Sequence, residues 1–220
     1  MTTAVVSRKP RRAKGEQTRR QILEAALRVI AEQGYRALTH RAVAKEAGVN
    51  LSLTTYYFKD LGEMLSEAFV HYKEGLRRDV DAHWQTMFEY LDQFDDKLLK
   101  ESEVRRQVVE KLARSLADFI ENQIQHQAQG VAVEMTFFFD LHLDESQREL
   151  AYKLRNRFLE GFIKLFRRLD SPDPDADAEL ILGTLHRLQC QAIAVPKLYS
   201  SEMFYRQTYR LLSALTGISP

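Results

Sequence analysis

The chain has 220 residues, 45% of them hydrophobic and 29% charged, a balance that builds a buried core and excludes an intrinsically disordered protein. No apolar run approaches the ~20 residues that span a bilayer, no apolar stretch follows the basic start as in a secretory leader, and the one cysteine, Cys190, excludes an internal disulfide and fits a reducing cytoplasm. The net charge of +1 hides an asymmetry: residues 1–60 hold twelve Lys or Arg against five acids, leaving −6 on the other 160. A basic module on an acidic body is the footprint of a nucleic-acid binder whose second half faces elsewhere.

The segment Met1 to Lys14 ends in SRKPRRAK and shows no periodicity. It is expected to be a disordered arm in solution, whose Arg8, Lys9, Arg11 and Arg12 follow phosphates or enter a minor groove beside DNA. From Glu16 a first helix places Ile22, Ala26, Val29 and Ile30 on one face and closes at Gly34. The stretch 38–58, LTHRAVAKEAGVNLSLTTYYF, then reads as two short helices joined by a tight turn. Thr39 is suited to cap the first of them, with Val43 and Ala47 on its buried face. Gly48 supplies the left-handed residue that ends it, and Val49 folds back over the corner. The next helix, about Asn50 to Tyr57, carries Asn50, Ser52, Thr54 and Thr55, residues a core helix would not use but a helix in a DNA major groove would. This is a helix-turn-helix with an exposed reading helix.

These residues resemble the DNA-binding domain of the TetR family of bacterial transcriptional regulators. The likeness covers roughly residues 16–69: the first helix TRRQILEAALRVIAEQGY, a threonine-capped second helix, Ala47-Gly48-Val49, and a recognition helix closing in Tyr57-Phe58. Two positions depart from the family pattern, which usually has a tyrosine where Thr55 stands and a phosphate-binding lysine near Leu61; Lys59 is the candidate replacement. The resemblance implies that Leu51, Ser52, Thr55 and Tyr56 reach bases. Asn50 stands at the start of the same helix. Thr39, His40, Arg41, Tyr57 and Lys59, at the helix ends that flank the groove, are the phosphate candidates. Phe58 is expected in the core.

No proline occurs between Pro10 and Pro172, and no segment alternates with period two for long, so helices and short loops are expected throughout. A fourth helix is read at 61–91, a fifth at 101–127, a sixth at 130–141 and a seventh at 145–169, before the loop SPDPDAD. The last two helices, 178–195 and 202–216, carry narrow apolar seams spaced by three and four. Ile181, Leu185, Leu188 and Ala192 form one; Phe204, Thr208, Leu211 and Leu215 form the other. Two copies of this hairpin about a two-fold axis would make a four-helix bundle, and TetR-type proteins dimerise through their last two helices. The expected architecture is all-α: a basic arm (1–14), a three-helix DNA-binding domain (15–60) and a helical ligand-binding and dimerisation domain (61–220), with about nine helices.

The resemblance further implies a small-molecule effector in the second domain. His83, Trp84, Phe88, Phe119, Gln123, Glu134, Phe138, Phe158, Phe162 and Gln189 are the candidates to line its pocket, aromatics for the walls and polar residues to orient the ligand. A dimeric reader expects two half-sites one helical turn apart, hence a palindromic operator on double-stranded DNA. The expected function is a cytoplasmic, ligand-responsive regulator that acts as a repressor, since repression needs only operator occupancy. The alternatives are a helical dimeric adaptor without DNA binding, or a helical enzyme. No nucleotide-loop, serine-hydrolase or zinc-protease motif is present, and no catalytic residue, cofactor or metal is assigned. The segment Asp140 to Glu145 has metal-ligand residue types but reads as a solvated turn.

Overall fold

The computed structural model describes the backbone of residues 9–139 and 144–218, and the side chains of 13–135, 144–197 and 199–218. Eight α-helices are described: α1 (Lys9–Gln33), α2 (His40–Ala47), α3 (Leu51–Tyr57), α4 (Leu61–Leu91), α5 (Ser102–Phe139), α6 (Glu145–Arg168), α7 (Pro174–Ala194) and α8 (Ser201–Leu215). The all-helical class is as the sequence led us to expect, with two differences in the elements. α1 begins at Lys9 rather than near Glu16. Pro10 in its first turn lacks an N–H that would have no partner there, and Arg, Ala and Lys are good helix formers. The expected fifth and sixth helices are one, α5, kinked at Gln127 (φ −136°, ψ 22°). The Gln127 side chain donates to Asp79 Oδ2 of α4 at 3.1 Å, fixing the kink.

The chain divides into two compact units between Tyr72 and Lys73, inside α4. In the first, α1 buries Ile22, Leu23, Ala25, Ala26, Val29 and Ile30, and α2 buries Val43, Ala44 and Ala47. Met64, Leu65, Ala68 and Phe69 of α4 are fully buried, as is Phe58. Polar clamps hold the same helices together. Gln21 Nε2 donates to the Ala47 carbonyl (2.7 Å), Arg28 pairs with Glu46 (2.6 Å), and Arg19 pairs with Glu67 while lying over the Phe58 ring.

In the second unit α5 packs on α7 and α8, and α6 on α7. Asp144, Asp173 and Ser200 cap α6, α7 and α8 with their side chains, each accepting a backbone N–H. The core runs through Leu112, Leu116, Phe162, Leu165, Phe166, Leu188 and Phe204. Here the seam expected between two copies needs correcting. Ile181, Leu185, Leu188, Ala192, Phe204 and Thr208 are buried within the chain itself, and Leu211 and Leu215 pack half-buried on the same core. Spacing by three and four marks a buried face without naming what buries it, and α5 is already there. The outward stripe of α7 is instead Leu180, Gly183, Arg187 and Ala194, with Leu180 54% exposed. Arg187 on that stripe donates to Gln207 Oε1 of α8 at 2.5 Å.

Because Phe58 is fully buried and its ring also carries Arg19, Phe58→Ala should destabilise the amino-terminal unit by about 3–5 kcal/mol. A thermal melt followed by circular dichroism checks this; a loss under 1 kcal/mol would remove Phe58 from its central place.

Candidate functional site

The reading head is built by local rules. Thr39 Oγ1 accepts the Ala42 N–H at 3.0 Å, capping α2. Gly48 (φ 63°, ψ 34°) ends that helix in the left-handed region, and the Val49 N–H returns to the Ala44 carbonyl at 3.0 Å. The chain therefore turns sharply into α3, where Asn50 stands at the N-cap without a side-chain cap bond. Thr54 is fully buried and donates to the Leu51 carbonyl, so it belongs to the core side of α3. The opposite side presents Leu51 (44% exposed), Ser52, Thr55 and Tyr56 (78% exposed). An exposed tyrosine and leucine beside two hydroxyls, held on a rigid short helix, is a surface with no folding task of its own.

Around it, Thr39, Arg41 and Lys59 are exposed, while His40 and Tyr57 are half-buried. His40 Nδ1 is enclosed and has no hydrogen-bond partner among the described residues. Tyr57 stands edge-on to Tyr56, and a Cβ at Gly15 would lie 3.4 Å from its hydroxyl, so it shares its role between α1 and the surface. At the start of α4, Asp60 Oδ1 accepts the Glu63 N–H (2.8 Å) and Glu63 Oε2 accepts the Lys59 N–H (2.5 Å). Two carboxylates occupy this helix N-terminus, and Lys59 is the one cation between Phe58 and Glu63. Arg8 and the side chains of Lys9, Arg11 and Arg12 lie outside the described residues, as do Phe138's side chain and residues 140–143 of the acidic turn.

The second unit contains a cavity of about 40 Å³ between α4, α5, α6 and α7. Of the expected pocket residues, His83, Trp84, Phe119, Gln123, Glu134, Phe158, Phe162 and Gln189 all line it. Phe88 is not among the lining residues; it stacks on Trp84, with ring centroids 5.8 Å apart. Leu185, assigned by its spacing to a dimer seam, lines the cavity as well, together with Leu182. Gln189 Nε2 donates to Gln123 Oε1 at 2.6 Å, so two buried amides satisfy each other across the wall. Gly161 is required by close approach: a Cβ there would collide with the Trp84 indole, which lies directly on α6.

At one end sits a buried charge cluster. Glu134 Oε1 is 2.5 Å from Lys73 Nζ and 3.6 Å from His186 Nε2. Burial alone would push the Glu134 carboxyl up, but the Lys73 ammonium and the His186 imidazole outweigh it and hold the group well below the ordinary carboxylate range. Burial pulls the Lys73 ammonium down, with Glu134 opposing. Nearby, burial lowers His83 to about 4, so its ring is neutral at pH 7, and its enclosed Nε2 has no partner among the described residues. Sequence reasoning did not assign Lys73 or His186 to the site. Lys73 reads as an ordinary solvent-facing lysine of a long helix, and its partner is 61 residues away.

A helix-turn-helix head is followed in the chain by a helical body that holds a polar-ended cavity. Residues 22–68 match the family described as bacterial regulatory proteins, tetR family. The regulator PksA of Bacillus subtilis (strain 168) is 41% identical over 59 residues, which are 27% of this chain and 29% of PksA, so the match spans under a third of that relative. A TetR-family structure from Streptomyces coelicolor is 26% identical, covers 89% of this chain and 98% of its own, and has a TM-score of 0.61. The multidrug binding protein EbrR, complexed with ethidium, is 23% identical with a TM-score of 0.57, covering 89% and 98% of the two chains, and shows the same fold. The family match is thus confined to the helix-turn-helix region, and over the rest of the chain the likeness is one of fold. None of its described helices is long and apolar enough to cross a membrane.

His83 gives the cavity an acid sensitivity whose sign is fixed. Its pKa is lower folded than unfolded, so the unfolded chain binds the extra proton, and stability present above about pH 6.5 is lost as pH falls toward 4. Glu134, also lowered, adds a loss in the same direction at more acidic pH. His83→Gln should flatten the fall in denaturant-derived stability between pH 6.5 and 4 by up to about 3 kcal/mol. Identical pH profiles for the two proteins would show that His83 is not buried neutral.

Proposed function

We propose that this protein is a ligand-responsive transcriptional repressor that binds a palindromic operator as a homodimer in the cytoplasm. The observation that carries the reading is the exposed face of α3, with Tyr56 the most exposed large apolar residue among those described. Leu51, Ser52, Thr55 and Tyr56 read base edges, the first and the threonine methyl suiting a thymine methyl. Thr39, Arg41, Lys59 and Tyr57 hold phosphates on either side, His40 with them through its outer edge. Arg8, Lys9, Arg11 and Arg12 extend the contact. With no Arg or Lys in α3 for bidentate guanine contacts, discrimination leans on phosphate placement and DNA shape.

Dimerisation uses the outward faces of α7 and α8, with Leu180, Gly183 and Arg187 at the contact, since the inner seams are already spent on the chain's own core. A small molecule entering between α4 and α7 acts on α4, the helix that begins directly after the reading head. It changes operator affinity to the extent that it prefers one arrangement of α4 over another. EbrR with bound ethidium is a precedent for a small molecule in this fold.

Selection of bound sequences from random duplexes by the purified protein, at moderate salt and without ligand, should enrich an inverted repeat with half-sites about 10 base pairs apart, one helical turn. Folded, dimeric protein that enriches nothing would favour an adaptor. Leu180→Glu should shift sedimentation from dimer toward monomer and weaken operator binding by more than about tenfold, because each monomer then holds one half-site alone. An unchanged dimer would move the interface off α7.

A further inference from the structure

Among the described residues, the cavity wall carries one carboxylate and no lysine or arginine. Glu134 lines the cavity, whereas Lys73, which balances it, lines a separate cleft of about 330 Å³. Val80 and Phe158 line both spaces and form the partition between them. Lys73 Nζ lies 4.0 Å from the centroid of the Phe158 ring while touching Glu134 Oε1. The ammonium is thus held by two things at once, a carboxylate and an aromatic face. The cleft that Lys73 also lines carries three carboxylates, Glu74, Asp81 and Glu160, and two arginines, Arg77 and Arg157, so an ammonium that leaves Glu134 meets a polar, charged surface. Among the described residues, the other ionisable group beside Glu134 is the His186 imidazole at 3.6 Å.

We propose that the ligand of this cavity is a protonated apolar or aromatic amine, whose ammonium takes the place of Lys73 against Glu134 and the face of Phe158. The inference rests on the effector-responsive reading above and names the chemical class of the effector. An anionic ligand would set a second negative charge beside a buried carboxylate, which the interior penalises. A neutral ligand would leave the ion pair in place and gain neither of its contacts. A cation inherits both, the ion pair and the cation–π contact, and releases Lys73 to the cleft. Trp84, Phe119 and Phe162 supply the apolar walls, and the unpartnered His83 Nε2 offers one hydrogen-bonding atom. Withdrawal of Lys73 from the Phe158 face also enlarges the space available to the ligand.

Three shape-matched probes test this: 4-phenylbutylamine, 4-phenylbutan-1-ol and 4-phenylbutyrate, titrated into the full chain at pH 7. Calorimetry gives the affinities, and the fluorescence of Trp84, the one tryptophan of the chain, reports whether the probe is in the cavity. The amine should bind about tenfold or more tighter than either analogue, the size of a close buried charge pair. Lys73→Met removes the competing ammonium and should tighten the amine without tightening the acid. Lys73→Met with Glu134→Gln leaves no charge unpaired, so it should fold, and it should erase the preference for the amine. Tighter binding of the acid or the alcohol, failure of the amine to bind, or a Lys73→Met protein with weakened amine affinity would each overturn the assignment. The regulatory reading fails separately: selection of DNA by the same preparation needs no ligand, so a protein that selects an operator but prefers the acid refutes the cationic class alone.

Discussion

A carboxylate removed from water must have its charge met inside the protein, and at Glu134 that need organises the second unit. Lys73 reaches it from α4, His186 from α7, and Phe158 of α6 lies under the ammonium, so three helices converge on one residue of α5. The kink at Gln127 belongs to the same arrangement, because it redirects the last turns of α5 and is itself tied to Asp79 of α4. A straight, wholly apolar packing of these helices would be no less stable on general grounds. What the charge cluster adds is a charged end to a cavity otherwise lined by aromatic, aliphatic and amide side chains.

α4 runs through both units. The helix that buries Met64, Leu65, Ala68 and Phe69 in the first unit carries Lys73 one turn later in the second. The helix-turn-helix forms from contacts within the first unit. Its turn is set by Thr39 and Gly48 and its packing by Phe58 and α1, all within the amino-terminal unit.

The helix-turn-helix was legible because every signal in it is local. A threonine three residues before the N–H it caps, a glycine where the backbone turns left-handed, and hydroxyls where a core would place aliphatics are all readable within twenty residues. The cavity was legible in another way. Trp84, Phe119, Phe158 and Phe162 are aromatic among helical repeats, and Gln123, Glu134 and Gln189 are polar where the repeats are apolar, so each stands out against its own helix. Lys73 and Gly161 do not stand out. One is a lysine on a charged helix and the other a glycine on a helix, and each acquires its role from a residue far along the chain, Glu134 and Trp84.

By itself the sequence determined the helical class, the helix-turn-helix and its exposed residues, and the kinds of side chain that line the cavity, since these depend on periodicity, capping and composition within single helices. Tertiary structure alone decided that the seams of α7 and α8 face the chain's own core, with Leu185 turned to the cavity, and that Lys73 neutralises Glu134. Periodicity states that a face is buried, and burial can be supplied by any helix that packs there. Likewise a charge states that a partner is needed, and only the folded chain chooses which one comes within reach.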